Sequence, residues 1–189
     1  MTNFKQFAIA LFVVAGVFTG TAQTKKVDLK SSSIKWMGEK VTGKHMGTVA
    51  IKEGALMIQS GKLVGGTFTV DMTSIEVADL KAGQGKEKLE GHLKADDFFG
   101  TEKYPTAKLD FTTVIEKSPT LYAVTANLTI KGKTNPVDFD VVFNANKATT
   151  KVIIDRTKYG IEYKSGSFFD GLGDATIYDN FELNVVLVF

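Results

Sequence analysis

Apolar and polar residues alternate along much of this chain, most clearly over 107–143 and 177–189. A period of two marks β-strands with one face on a core and the other in water. Phe68, Val70 and Met72 share one parity against Thr67, Thr69 and Asp71, and Leu109 and Phe111 oppose Lys108, Asp110 and Thr112. Tyr122, Val124, Ala126, Leu128 and Ile130 oppose Thr125, Asn127 and Thr129, while Val137, Phe139, Val141 and Phe143 oppose Asp138 and Asp140. A slip of one residue would carry lysine and aspartate inside, so burial sets the register. With Gly, Asn, Lys and Ser clusters as breaks, the pattern predicts strands at 34–37, 48–51, 55–58, 62–72, 107–114, 122–130, 137–143, 151–156 and 177–189. About eight or nine short strands in one small domain point to an all-β antiparallel barrel or sandwich.

Residues 76–105 interrupt the pattern between the fourth and fifth strands. Within 86–94, Leu89 and Leu93 stand one turn apart on one helical face. Asp96 and Asp97 are placed to cap a short turn that carries Phe98 and Phe99. The expectation is a helical lid or plug on one barrel mouth.

Composition narrows the setting. Residues 1–22 read as a secretory signal: Lys5 is the positive end, 7–18 the apolar stretch, and Gly20, Thr21 and Ala22 the small residues before cleavage. The apolar stretch is shorter than the roughly 20 residues that span a bilayer. Cleavage near Ala22 would leave residues 23–189, the size of one domain, in the periplasm or secreted. Lys and Arg number 23 against 21 Asp and Glu, and only Lys5 leaves with the leader, so no strong field recommends nucleic acid as a partner. With no cysteine, disulfides, lipoprotein acylation, thiol catalysis and thiolate metal sites are excluded.

Candidate chemistry is sparse. Gly132-Lys133-Thr134 has Asn127 where a phosphate-binding loop needs glycine, and Asn135-Pro136 where its helix would begin, so a hairpin turn is expected. His45 and His92 have no paired ligand spacing and no third nitrogen or sulfur ligand, so no metal site is assigned. No nucleophile elbow is present, no cofactor is implied, and the chain does not read as an enzyme. Arg156 shares the parity of Val152 and Ile154, so a continuous strand would aim its guanidinium at the barrel mouth. There it would meet a polar ligand group, or pair with a carboxylate such as Asp155 or Asp179 to close the barrel. Trp36 shares a face with Ile34 and either fills the core or stacks on a ligand.

The segment 92–99, His-Leu-Lys-Ala-Asp-Asp-Phe-Phe, followed by Lys103-Tyr104-Pro105-Thr106-Ala107, resembles the signature of the YceI-like, polyisoprenoid-binding family. Blocks 127–134 and 155–161 agree with it, and the similarity spans most of the chain after the leader. The resemblance implies a lipocalin-like antiparallel barrel of eight strands with a helical insertion, holding a polyisoprenoid or other fatty amphiphile inside. Candidate ligand-binding residues are Trp36, Phe68, Val70, Met72, Phe98, Phe99, Leu109, Phe111, Leu128, Phe139, Val141, Phe143, Ile154, Arg156 and Phe181. Two stretches depart from the family pattern, 36–47 and 167–174, and both are expected to rim the cavity.

Two other readings use the same alternation. The inward side chains would fill an eight-stranded barrel completely, giving a structural or interaction protein. Alternatively the apolar face would point outward in an integral outer-membrane barrel, although the polar faces crowd with charge and the helical insertion has no place in a bilayer, so stable membrane insertion is not expected. Residues 55–58 form an edge that would pair two barrels as a homodimer unless a lid covers it.

Overall fold

The computed structural model describes residues 21–189. The expected leader thus lies outside the described residues except for its last two. The chain forms β1 (Gln23–Lys26), β2 (Ser33–Lys40), β3 (Gly43–Gln59), β4 (Lys62–Val77), α1 (Lys86–Lys94), β5 (Thr106–Ser118), β6 (Leu121–Ile130), β7 (Lys133–Asn144), β8 (Lys147–Asp155) and β9 (Ile177–Val188). The sheet order is β1-β3-β2-β9-β8-β7-β6-β5-β4, and β3 also pairs with β4, which closes β2 to β9 into an eight-stranded barrel. All named pairings are antiparallel.

The expected strands at 48–51 and 55–58 are one continuous strand, the 17-residue β3. Register shifts at Thr48/Ala50, Ile51/Glu53 and Met57/Ile58 break its alternation against β4, so one bulged strand reads as two short ones. Its first part pairs with β2, from Lys40↔Gly43 to Ile34↔Val49, and residues 55–58 pair with β1 along the same edge. The edge expected to be open or lidded is therefore occupied by β1, a four-residue strand that itself includes Lys25 and Lys26. Lysine on an edge strand discourages further pairing.

Period-two burial is cleanest in β6 and β7 and breaks in the second half of β5 and in β9. In β6, Tyr122, Val124, Ala126, Leu128 and Ile130 are all buried, whereas Asn127 is exposed. Outward Lys108, Asp110, Asp138, Asp140 and Lys151 are exposed. Between β6 and β7, Lys131 and Gly132 have φ of 51° and 75°, a two-residue turn with both central residues left-handed, where glycine relieves the second position.

Inside, large rings lie over positions left small. A Cβ on Gly66 would fall 2.9 Å from the Phe111 ring, one on Gly54 2.5 Å from Phe68, and one on Gly47 2.6 Å from Trp36 and 1.8 Å from the Glu76 carbonyl oxygen. Phe68 and Phe139 flank Phe111, each with ring centroids 5.8 Å away. One end of the barrel is closed by Phe143, which stacks on Phe189 at 5.6 Å and meets Tyr122 edge-on at 5.8 Å.

The other end carries the insertion and the segment after β8. Glu90 accepts the Val77 amide and Lys86 pairs with Glu76, so α1 is tied to β4, while Asp79 accepts the Met46 amide and bonds His45 at 2.8 Å, tying the segment before α1 to β3. Asp96 and Asp97 do not cap a helix. Residues 95–100 form a backbone turn held by Phe98 N–H and Gly100 N–H to Ala95 O, and the Asp96 carboxylate pairs with Lys103. After β8, a 3-10 turn spans Arg156–Tyr159 and ends at Gly160, φ 72°.

Tyr159 is buried in that turn and its hydroxyl has no hydrogen-bond partner. Burial pushes its phenol up to about 12. An unfolded tyrosine ionises near pH 10, so stability is intact below pH 10 and falls as pH rises from 10 towards 12. Tyr159→Phe removes the unsatisfied hydroxyl and is expected to raise stability by about 1 kcal/mol at pH 7, and to flatten the alkaline decline. Urea unfolding at pH 7, 10 and 11 checks both effects, and a destabilised Tyr159→Phe protein would contradict them.

Candidate ligand-binding cavity

The barrel interior is not completely filled. An upper cavity of about 130 Å3 lies under the insertion, walled by Trp36, Val70, Met72, Leu93, Phe98, Phe99, Leu128, Ile154 and Phe181 among others, with Arg156 at its rim. A second cavity of about 90 Å3 lies deeper, walled by Phe68, Val70, Leu109, Phe111, Leu128, Phe139, Val141 and Ile154 among others. Ile34, Val70, Leu128, Ile154 and Leu183 line both, so they form a waist between the two. A wider vestibule of about 520 Å3 opens between α1, the β2–β3 hairpin and residues 163–177, and shares Trp36, Gly38, Glu39, Leu93, Phe98 and Ile177 with the upper cavity. The three spaces follow one another from the insertion end toward the plug at Phe143.

Fourteen of the fifteen candidate residues line one of the two inner cavities. Phe143 lines neither. It has the correct inward parity but sits one layer below, where its ring is used against Phe189 and Tyr122 to close the floor. Trp36 is cavity wall, its ring over Gly47 and its indole N–H donating to Thr48 O at 3.2 Å. Phe98 and Phe99 meet at 5.2 Å, and Phe99 reaches Phe181 at 6.1 Å, so the insertion supplies the aromatic lid of the upper cavity. Sequence reasoning passed over Ile34, Val49, Leu93, Leu183 and Val185. All but Leu93 were available from parity with Trp36, Gly47 or Phe181, and Leu93 from the helical face it shares with Leu89.

Arg156 does not extend a strand toward the lumen. β8 ends at Asp155, whose side chain accepts the Thr157 amide and starts the 3-10 turn. The guanidinium, only 2% exposed, donates to Ile161 O at 2.7 Å, Ile177 O at 2.9 Å and Tyr178 O at 3.1 Å. Asp179 Oδ1 lies 3.5 Å away, and the Phe98 ring centroid 5.8 Å from Cζ. Burial lowers the pKa of Arg156, opposed by the nearby Asp179 and Asp155 charges. Burial raises that of Asp179, but the Ser165 and Ser167 hydroxyls and Arg156 outweigh it, so the carboxyl stays below its usual range. The arginine thus fastens the segment after β8 to the start of β9, and its donors are directed at backbone rather than at the lumen. Apolar walls with Arg156 engaged in this way, and Glu39 as the other charged group on the upper cavity, supply mainly burial to a guest.

His45 is held by Asp79, and His92 Nδ1 lies 3.9 Å from Asp97. Both histidines border the vestibule, not the inner cavities.

Geometry defines the class: a closed lipocalin-like barrel with a helical insertion over one mouth and an apolar space leading inward. The chain belongs to the YceI-like family, whose domain model matches residues 25–189. A UPF0312 protein of Staphylococcus aureus strain USA300 is 39% identical over 88 residues, which is 41% of this chain and 48% of that protein, so the match spans about half the relative's length. Burkholderia cenocepacia BcnA shares the fold at a TM-score of 0.65 with 20% identity, over 86% of this chain and 99% of BcnA. A polyisoprenoid binding domain from Saccharophagus degradans gives a TM-score of 0.58 with 14% identity, over 88% and 97% of the two chains. The Campylobacter jejuni YceI protein gives 0.52 with 14% identity, over 97% and 95%.

Replacing Arg156 with Met keeps the volume and leaves three carbonyls without their donor. The expected loss is about 3 kcal/mol in urea unfolding, and Arg156→Lys is expected to restore less than half of it, because one ammonium cannot span three separated acceptors. An Arg156→Met protein as stable as the parent would contradict the clamp.

Proposed function

We propose that this chain is a binding protein for a long, linear, apolar molecule, a polyisoprenoid or similar fatty amphiphile, held end-on along the barrel axis. The carrying observation is the succession of two apolar cavities opening into a vestibule at the insertion end. Native interiors are close-packed, and apolar voids stay dry and accept apolar guests. Both inner cavities are small, about 130 and 90 Å3, and joined at a shared set of wall residues, which suits a flexible chain threaded through both. Each CH2 taken from water contributes about 0.8 kcal/mol, so about ten enclosed groups give about 8 kcal/mol before ordering costs, and micromolar binding needs a longer enclosed chain than that. The name of the Saccharophagus degradans neighbour and the family membership support the same class of ligand. Charged residues on the outward strand positions are those of a wall in water, where an integral barrel needs an apolar band. The reading extends to the setting: a non-enzymatic carrier in the periplasm or secreted, released by cleavage near Ala22.

Purification from the native host, solvent extraction and mass spectrometry test this. A prenyl or fatty chain near one per barrel is expected, with the mature protein beginning near Gln23. An empty protein that also refuses added isoprenoids would favour a barrel filled by its own side chains.

Leu128→Trp places an indole in the waist and is expected to weaken binding of a twenty-carbon prenyl alcohol at least tenfold, as read by displacement of a fluorescent fatty probe. Unchanged affinity in a folded Leu128→Trp protein would remove the waist from the binding path.

A further inference from the structure

Phe168 and Phe169 stand side by side on the segment between β8 and β9, 52% and 50% exposed. Their exposure is built in. Ser165, fully buried, accepts both their amides through its carbonyl at 3.2 and 3.0 Å, Ser167 donates to Asp179 at 2.6 Å, and Ile177 N–H bonds back to Lys164 O at 2.9 Å. The same strip reaches the β2–β3 hairpin, where the Val41 amide donates to Thr176 O at 3.1 Å and Val41 is itself 48% exposed. Tyr178, 48% exposed, also lines the upper cavity. These exposed apolar groups therefore sit on one hydrogen-bonded strip, residues 164–178 with the hairpin it touches, and Lys164, Asp174, Ala175 and Ile177 of that strip line the vestibule.

We propose that this rim, Val41, Phe168, Phe169 and Tyr178, inserts into the surface of a phospholipid bilayer, so that the barrel mouth faces the membrane with which it exchanges its apolar chain. The proposal rests on the reading of the barrel as a chain-binding protein and adds the surface on which it loads. Contiguous exposed apolar side chains mark interaction sites. Half-exposed aromatic side chains present roughly 100 Å2 each, so three such residues and a valine fall well short of the about 800 Å2 per partner that a stable protein interface buries. A bilayer asks for no matching surface, and aromatic side chains favour its interfacial zone. Charges flanking the rim are mixed, Lys40, Lys44 and Lys164 against Glu39, Asp170 and Asp174, so insertion rather than charge is the attraction. Docking also spares the guest a passage through water, where each exposed CH2 is unfavourable.

Flotation of the mature protein with phosphatidylcholine vesicles tests the rim. The parent is expected to float, the double variant Phe168→Ser with Phe169→Ser to lose at least tenfold in vesicle partitioning, and a control with Ile115→Ser and Val142→Ser, exposed apolar residues elsewhere on the barrel wall, to float as the parent does. A Phe168→Trp protein is expected to show added fluorescence that brominated lipid quenches. Uptake of geranylgeraniol from dilute ethanol, with no bilayer present, is measured on the same proteins and should be equal in all, which also shows the rim variant is folded. A parent that takes up geranylgeraniol but does not float, or a rim variant that floats equally well, overturns docking and leaves the carrier reading standing. A parent that floats through its phenylalanines yet takes up no prenyl alcohol overturns the carrier reading and keeps the membrane surface.

Discussion

A closed antiparallel barrel of about eight strands has an interior only just wide enough for its own side chains. Whether it holds a guest depends on which inward positions are left small. Here the saving is made at Gly47, Gly54 and Gly66, where the rings of Trp36, Phe68 and Phe111 lie close against the wall. Each ring remains apolar lining but takes less of the axis. What is left is a slot in two compartments, with Leu128, Ile154 and Leu183 at the waist. The interior this leaves is apolar, which is the basis of the proposed recognition by length and greasiness.

The two ends are finished differently. At the floor, Phe143, Phe189 and Tyr122 close the barrel with stacked and edge-on rings. At the mouth, closure depends on polar fastening: Arg156 binds three carbonyls across the join from the 3-10 turn to β9, and Asp79 and Glu90 tie the insertion to the strands beneath it. Aromatic residues of the insertion, Phe98 and Phe99, pack on Phe181 and complete the roof. An entrance roofed by a segment held through a few side-chain bonds opens more readily than a wall held by strand ladders.

Much of this was legible from residue order. Alternation gave the inward set most cleanly in β6 and β7, which pair without a register shift, and the Leu89–Leu93 spacing gave α1. Illegibility came from identifiable causes. Bulges in β3 made one long strand look like two, and β1 was too short and too polar to carry a period. Arg156 was expected on a strand facing the lumen, but Asp155 turns the backbone one residue earlier, and no parity rule registers a cap. Phe143 shows the other limit: parity says which way a side chain points, not how deep along the axis it lies. The rings over glycine were beyond one-dimensional reading altogether, since each pairs positions on neighbouring strands.

On the proposed reading the ligand lies in the slot along the axis. The affinity of the purified protein for prenyl alcohols of increasing length, from two isoprene units upward, by calorimetry or probe displacement, decides this. Affinity is predicted to rise steeply with each added unit while the chain fills the slot, then to level off once further units extend past the vestibule. An affinity independent of chain length, or one set by the head group alone, would contradict the account.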